Sequence, residues 1–237
     1  MSIKSVMPSN YLILCHTKES HYAKPITNRQ TISFKCSACG ACCKNVRDSI
    51  VLEPLDAFRI IRNKLRNGCT DSADDILWSI ADLKELSRGF NVFVLKTVND
   101  SGVCNMLENN RCTIYSVRPR SCRLYPFTAE PCPEEHRIKW HLCTEQAHHF
   151  GKGTIAAREW QRKNVSSEDE EFLYEECRVL PELGEILRKV PEDNLQQAEQ
   201  LVVVYRYLGY DFSQPFMPQF KENMLFLKSM LGKLTMQ

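Results

Sequence analysis

Four cysteines fall within the eight residues 36–43, whose sequence is CSACGACC, and this segment constrains the chain more than any other. Spacers of two residues let successive thiolates converge on one centre, and Gly40 lets the backbone take a positive φ at low cost. Each thiol must lose its proton before it binds a metal. The segment therefore predicts a loop that holds a metal ion or an iron–sulfur cluster.

The adjacent pair Cys42-Cys43 predicts that further ligands come from elsewhere in the chain. Neighbouring Cα atoms are only about 3.8 Å apart and successive side chains diverge, so one ion does not easily take both sulfurs. One sulfur is expected to complete the site begun by Cys36 and Cys39, while the other reaches a second site, a different iron or a partner thiol. Three cysteines on loops punctuated by Asn and Pro are the candidate distant ligands: Cys104, Cys112 and Cys122.

The segment that carries two of those cysteines is basic, with four arginines and no acid between residues 111 and 123. A centre held by four thiolates carries a net negative charge, which is costly to bury unpaired. We therefore expect Arg118, Arg120 and Arg123 to compensate the charge of a bound cofactor, with Arg123 beside Cys122 as the best candidate. A solvated basic loop is the alternative.

Composition narrows the class of protein. A chain of 237 residues with 43% apolar residues can bury a core without disulfides, and twelve cysteines fall short of the roughly 8–10% typical of a disulfide scaffold. The N-terminal apolar run is too short for a secretory signal and no later run is long enough to span a membrane. We expect a cytoplasmic protein without a membrane partner, and the net charge of +2 argues against a nucleic-acid partner.

Hydrophobic spacing predicts helices separated by short strands. We expect a strand over residues 49–52, a helix from Pro54 to Gly68, a second helix over 72–88 that stops before Gly89, and a strand over 90–98. A further helix is expected over 192–207. The last helix is amphipathic, with these apolar residues at helical spacing: Phe220, Met224, Leu227, Leu231 and Leu234.

These patterns divide the chain into three parts: an irregular arm over residues 1–33 with one strand at 11–15, a cysteine domain over 34–153, and a helical region over 154–237. The expected fold class is mainly α with irregular metal-binding loops and a few short strands, a metal-knotted core followed by a helical C-terminal part. We expect the helical part to contact another protein. The pair His148-His149 is expected at a helix start on a solvated face, with metal ligation as the alternative.

Two blocks of motifs occur in order along the chain. The first is Phe34-Lys35-Cys36-x-x-Cys39-Gly40-x-Cys42-Cys43, and the second comprises Cys104, Cys112-Thr113-Ile114-Tyr115, Arg118-Pro119 and Cys122-Arg123-x-Tyr125-Pro126-Phe127. Together they resemble the YkgJ-type cysteine-cluster family over roughly residues 34–155. That family is described as a zinc- or iron-chelating domain, and its cysteine region also occurs in flagellin lysine N-methylase.

The resemblance implies one more ligand. The last cysteine of the family falls on Cys143, although the Cys-Pro-Gly that usually starts this block is missing and Gly151 and Gly153 come later. Cys132 competes with Cys143 for this role. The implied set of metal ligands is Cys36, Cys39, Cys42, Cys43, Cys104, Cys112, Cys122 and Cys143.

We favour a metal-binding protein that holds a 4Fe-4S cluster on these thiolates and acts in redox chemistry or protein modification, with zinc as the alternative cofactor. Whether the chain is an enzyme stays open. One alternative is an enzyme similar to a protein-lysine N-methyltransferase, and another is a structural zinc module that presents the helical tail to a partner. The sequence has no Gly-rich phosphate loop, Gly-x-Ser-x-Gly motif or His-Glu-x-x-His motif.

Overall fold

The computed structural model describes residues 23–27, 29–132 and 137–236, so the strand expected at 11–15 lies outside the described residues. The strands in chain order are β1 (Ala23–Ile26), β2 (Thr31–Phe34), β3 (Val51–Leu52), β4 (Ala81–Ser87), β5 (Phe90–Leu95), β6 (Leu107–Glu108), β7 (Arg111–Cys112), β8 (Phe127–Cys132), β9 (Arg137–Cys143) and β10 (Phe150–Ala156). The α-helices are α1 (Pro54–Arg66), α2 (Ala73–Ile80), α3 (Arg120–Leu124), α4 (Ala157–Asn164), α5 (Ser167–Leu187), α6 (Leu195–Val203) and α7 (Phe216–Leu234).

Helix α1 begins where the sequence predicts and buries an apolar stripe. Pro54 is its first residue, and Leu55, Phe58 and Ile61 are all buried. Two residues after the helix ends, Gly68 takes a φ of 88°, which terminates the helical path. The predicted strand before α1 is confirmed as β3, which pairs antiparallel with β5.

The second predicted helix is wrong beyond Ile80. Ser72 caps α2, since its side chain accepts a hydrogen bond from the N–H of Asp75 at 3.1 Å, but the helix ends at Ile80. The residues that follow form β4, which turns back at Gly89 (φ 72°) and pairs antiparallel with β5. Every residue of β5 is buried, so pairing with this strand overrides the local helical spacing of β4.

Two small sheets bring the loops of the cysteine region together. Strands β2 and β10 pair antiparallel, and β9 lies between β1 and β8 in the other sheet. A hydrophobic cluster joins both sheets to α4, with Phe127, Trp140 and Ala157 buried at its centre. The pairing of β2 with β10 places the residues after Phe34 beside the residues before Phe150.

The C-terminal helices share a core with the cysteine region. Helices α5, α6 and α7 pack against α1 and β5, and Leu55, Phe58 and Phe90 belong to the same buried cluster as the apolar face of α7. The five apolar residues predicted for the last helix are all buried, which confirms its amphipathic pattern. Just after α6, the hydroxyl of Tyr207 donates to the carbonyl of Leu52 at 3.2 Å.

Helices contain more of the described residues than strands do, so the mainly helical fold class is confirmed in part. Short antiparallel strands are more frequent than the sequence predicts, with ten in the described residues. Within the described ranges, no helix combines the length and the apolar character that crossing a bilayer requires.

Candidate metal centre

The cysteine-rich loop turns sharply at Gly40, which has a φ of 71°. The next residues, Ala41–Cys43, form one 3₁₀ turn in which the N–H of Cys43 donates to the Gly40 carbonyl at 3.0 Å. A Cβ atom added at Gly40 would lie 3.2 Å from Cδ1 of Leu107. The backbone conformation favours glycine here, an added Cβ would crowd the Leu107 side chain, and the turn separates Cys39 from the two cysteines that follow.

Cys39 faces two histidines that lie 109 and 110 residues further along the chain. Its Sγ lies 3.3 Å from Nε2 of His148 and 3.1 Å from Nε2 of His149. The three ligand atoms all lie within 4.8 Å of one another, and we call these residues the Cys–His group. The N–H of Lys35 donates to the His149 carbonyl at 3.1 Å, so the pairing of β2 with β10 assembles the group.

The ring of His149 is held on both of its nitrogens. His149 is only 4% exposed, and its Nδ1 lies 2.9 Å from the hydroxyl of Tyr125. The ring of Phe34 makes edge contacts with both, at centroid distances of 6.0 Å to His149 and 5.8 Å to Tyr125. A histidine whose second nitrogen is hydrogen-bonded has a fixed orientation, so Nε2 stays directed at Cys39.

The histidines change the chemistry of the Cys39 sulfur. Hydrogen bonds to His148 and His149 lower the pKa of the Cys39 thiol to about 5, and a hydrogen bond from Ser37 acts in the same direction. Cys39 is therefore a thiolate at neutral pH, which is the form that binds metals. Thiolate sulfur and imidazole nitrogen together are a donor set that suits zinc.

A second set of cysteines meets around the end of the loop. The N–H of Cys104 donates to the Cys43 carbonyl at 2.9 Å, and Cys104 is buried in a hydrophobic cluster against which Cys43 and Cys112 pack. Cys112 ends β7, and Cys122 lies in the short helix α3. We call this set the thiol group, and its members are Cys42, Cys43, Cys104, Cys112 and Cys122.

Members of the thiol group influence one another's ionisation. Burial raises the pKa of the Cys122 thiol, and negative charge at Cys104, Cys112 and Cys42 raises it further. Burial likewise raises the pKa of Cys104 and of Cys112. Cys42 behaves differently, because a hydrogen bond from the thiol of Cys43 lowers its pKa to about 6. The sulfurs thus lie within electrostatic reach of one another, and a cation among them would favour the thiolate form.

Residues 35–144 match the model of the CxxCxxCC family, described as a "Putative zinc- or iron-chelating domain". We call this segment the CxxCxxCC domain. The match confirms the family resemblance seen in the sequence, and it includes the whole thiol group but ends before His148. No curated protein and no solved structure matches the chain. Binding of zinc or iron is the function that the family model and the Cys–His group support.

Two of the arginines predicted to compensate cofactor charge hold carboxylates in the structure. Nε of Arg120 donates to Oε2 of Glu53 at 2.8 Å, which fixes the start of α3 beside the start of α1. The guanidinium of Arg123 binds both carboxylate oxygens of Asp169, at 2.7 and 3.1 Å. These contacts anchor the helix that carries Cys122, and compensation of cofactor charge by Arg120 and Arg123 stays a prediction.

Arg118 is the remaining arginine expected to compensate cofactor charge, and its charge acts on a cysteine of the thiol group. Its guanidinium carbon sits 3.8 Å from the ring centroid of Tyr115, an exposed residue of the CxxCxxCC domain. The charge of Arg118 lowers the pKa of Cys112, although burial outweighs it and the net shift is upward. Arg118 therefore favours a thiolate at one member of the thiol group.

The remaining predicted ligands lie outside both groups. Cys36 is exposed, and Cys143 is half-buried at the end of β9, where its N–H donates to the Pro126 carbonyl at 2.7 Å. Burial raises the pKa of the Cys143 thiol. Cys132 ends β8, and its side chain lies outside the described structure. Metal ligation by Cys36 and by Cys143 stays a prediction.

The expectation that the histidine pair lies on a solvated face is wrong for His149, which is buried against Tyr125. His148 is exposed but also contacts Cys39. Sequence reasoning underrated the pair because its sulfur partner is 109 residues away. The available signal was the pair itself, five residues after the last cysteine of the family motif.

Proposed function

We propose that the CxxCxxCC domain holds a metal centre on the thiol group, that this centre is a 4Fe-4S cluster, and that zinc is the alternative occupant. The observation that carries the proposal is that cysteines from four separate segments lie within electrostatic reach of one another: the loop, residue 104, strand β7 and helix α3. Cysteines that only fill apolar space in a core do not need to lie near one another. The ligands of one metal centre do need to lie near one another.

The cysteine thiolates of the thiol group can hold either zinc or a 4Fe-4S cluster, and we favour the cluster. Iron–sulfur clusters are held by cysteine thiolates, and structural zinc sites also use four of them. Ile114 and Val46 are buried in the same hydrophobic cluster as Cys104, so the thiol group is apolar around Cys104, while Cys42 is exposed. Apolar surroundings and solvent exposure both shape the reduction potential of an iron–sulfur cluster, which fits a role in electron transfer.

The pKa values of the buried thiols give a physical reason for binding. Burial and neighbouring negative charge make ionisation of Cys122 unfavourable in the protein without a cation. A bound cation supplies positive charge where the thiolates repel one another, so metal binding and ionisation assist each other. Closing the long connection between Cys43 and Cys104 costs entropy that grows only logarithmically with its length. A metal ion can therefore cross-link distant parts of the domain.

The reduced state of the cysteines is relevant to the cellular compartment in which the protein functions. The ten cysteines whose side chains the structure describes form no disulfide with one another. Thiols persist in reducing compartments and iron–sulfur ligation needs them reduced, which supports the cytoplasm as the site of function.

Metal analysis of the anaerobically purified full chain tests the proposal. We expect brown protein with about four iron and four acid-labile sulfide per chain, since those are the contents of one 4Fe-4S cluster. Cys122→Ser is expected to lose the iron and the colour, whereas Cys177→Ser, a change in α5 far along the chain, is expected to keep both. Colourless protein with zinc would overturn the cluster assignment. Equal metal in Cys122→Ser and the unchanged protein would overturn the thiol group as the centre.

A further inference from the structure

The Cys–His group differs from the thiol group in its residues and in its donor chemistry. We propose that Cys39, His148 and His149 form a second metal site, which binds one divalent ion of the zinc type and leaves a coordination position open to a small exogenous ligand. The proposal does not rest on the thiol group, because it uses none of the five thiol-group residues. The two histidines also lie beyond the segment that matches the family model.

The spacing of the three ligand atoms already approaches that of a coordinated ion. A zinc ion bound at about 2.3 Å from sulfur and about 2.0–2.1 Å from nitrogen, at tetrahedral angles, holds its sulfur and nitrogen ligands about 3.5 Å apart. The Cys39 sulfur lies 3.3 Å from one Nε2 and 3.1 Å from the other. Coordination therefore needs movements of only a few tenths of an ångström at each sulfur–nitrogen pair.

Tyr125 supports the form of His149 that binds a metal. Ligation by Nε2 leaves the ring proton on Nδ1, which then needs an acceptor. The Tyr125 oxygen lies 2.9 Å from Nδ1, so it can accept that proton's hydrogen bond without moving. Metal-bound histidines commonly have such a partner on the second nitrogen, and it fixes the ring orientation. Tyr125 is thus a positioning residue for this site.

The number of protein ligands points to an open coordination position. Among the described residues, no fourth Cys, His, Asp or Glu joins the three within the same 4.8 Å. Zinc sites that serve structure are usually closed by four protein ligands, whereas sites with three keep one position for water or a substrate. His148 is exposed and Cys39 partly exposed, so a small ligand from solvent can reach the ion.

A metal-free interpretation uses the same three residues. A thiolate beside imidazoles is also the arrangement of a cysteine nucleophile activated by histidine. Two imidazoles aimed at one sulfur favour the metal, because a nucleophile needs only one base. Loss of the metal in variants of the histidines separates the two interpretations.

Metal content of the full chain after loading with Zn²⁺ under anaerobic conditions is the first test. His148→Ala is expected to remove one zinc ion per chain and to leave the metal of the thiol group in place. Because His148 is exposed, the variant should fold even if changes at buried His149 do not. The control His141→Gln changes a histidine of β9 outside the group and should keep the ion. Cys122→Ser should do the reverse of His148→Ala, so failure of this proposal and failure of the thiol group give different results.

Equal zinc content in His148→Ala and in His141→Gln would overturn the second site. Loss of the thiol-group metal in Cys39→Ser, with zinc retained, would also overturn it, because Cys39 would then belong to the other centre. Alkylation by iodoacetamide provides an independent reading. We expect bound zinc to slow alkylation of Cys39, and an unchanged rate would identify Cys39 as a metal-free nucleophile.

Substitution with Co²⁺ tests the open position. We expect visible bands that are absent in His148→Ala and that shift when azide is added, because azide replaces the solvent ligand of the ion. Cobalt bands that azide leaves unchanged would show a closed site and would overturn the open position.

Discussion

Cys39 and Cys177 are both partly buried cysteines, yet their surroundings give them different properties. Cys39 faces two imidazole nitrogens, whereas Cys177 lies within α5 beside buried apolar residues such as Leu173. The chemistry of a thiol depends on such neighbours more than on its exposure. Sequence spacing already separated these two cysteines, because only Cys39 stands in a run of regularly spaced thiols.

We predict that Cys39→Ser lowers the metal content and the stability of the protein far more than Cys177→Ser does. Removing a metal ligand removes binding energy that also stabilises the fold, on the order of several kcal/mol. Serine at Cys177 should cost about 1 kcal/mol, since only one partly buried sulfur is replaced. Metal content and thermal unfolding of both variants provide the measurement. Equal metal loss in the two would remove Cys39 from the ligand set.

Tyr125→Phe tests the orientation of His149. The change keeps the ring that packs on Phe34 but removes the oxygen 2.9 Å from Nδ1. We expect zinc affinity at the Cys–His group to fall about 10–100-fold, the usual effect of losing a partner behind a metal-bound histidine. Tyr174→Phe, at an exposed position of α5, is the matched control and should leave the affinity unchanged. Equal affinities in the two variants would refute the positioning role.

At the scale of secondary-structure elements, one carboxylate joins three helices. Asp169 lies in the first turn of α5, where it forms a capping box with Ser166. It also binds Arg59 of α1 at 2.6 Å and Arg123 of α3 at 2.7 Å. Burial opposes ionisation of Asp169, but hydrogen bonds from Arg123 and the charge of Arg59 outweigh it and hold the pKa of the carboxyl below its usual range. The position of α3, and with it Cys122, depends on this contact.

We therefore expect Asp169→Asn to destabilise the protein by about 3–5 kcal/mol at neutral pH, because it leaves two guanidinium groups without their shared anion. A carboxyl with a depressed folded-state pKa contributes stability above its unfolded pKa of about 3.9 and loses it as the pH falls through the folded value. The difference in stability between the two proteins should thus be constant above about pH 5 and shrink below about pH 4. Denaturant unfolding across this range measures it.

Glu168→Gln is the control for this prediction, since Glu168 also binds Arg59 but is 41% exposed. An exposed ion pair contributes about 1 kcal/mol or less. If both variants lost the same stability, or if the Asp169→Asn difference did not change with pH, the buried contact would not be the source of the effect.

Gly40→Ala and Gly232→Ala should change stability in opposite directions. The φ of 71° at Gly40 costs an alanine roughly 1–2 kcal/mol, and its Cβ would crowd Leu107 at 3.2 Å. Gly232 lies within α7 with no atom within 4 Å of an added Cβ, so alanine there should stabilise by about 0.5–1 kcal/mol. Thermal unfolding of the two variants tests both signs. A neutral Gly40→Ala would show that the loop does not require its tight turn.

At the scale of the whole molecule, two kinds of core support different parts of the chain. The C-terminal helices share a buried cluster with α1 and β5, and no cysteine is among the residues described in that cluster. Three members of the thiol group, Cys43, Cys104 and Cys112, instead pack in a separate cluster with Ile114 and Val46. We therefore expect the cysteine region to depend on metal more directly than the helices do.

Removal of metal by a chelator should lower the thermal stability of the protein while most of the helical circular-dichroism signal remains at low temperature. The apolar contacts of α5, α6 and α7 persist without metal, whereas the thiol group loses the cation that offsets its repulsion. Thiol titration should show Cys122 becoming reactive at the same time. Complete loss of helix on chelation would contradict this separation of the two cores.

Features encoded within a few residues were predictable from the sequence. Cysteine spacing located the cysteine-rich loop and the family resemblance, Pro54 marked the start of α1, and the apolar spacing of the last helix matched its buried face. These features depend on local backbone geometry and on helical periodicity, which neighbouring residues determine.

Only the tertiary structure decided the remaining features, because each depends on residues that are distant in the chain. Residues 81–87 form a strand rather than a helix since a buried neighbouring strand pairs with them. Arg123 binds Asp169, and the histidines meet Cys39 only because β2 pairs with β10. Local spacing carries no information about which distant partner a side chain meets, so these contacts became visible only once the strands and helices were packed together.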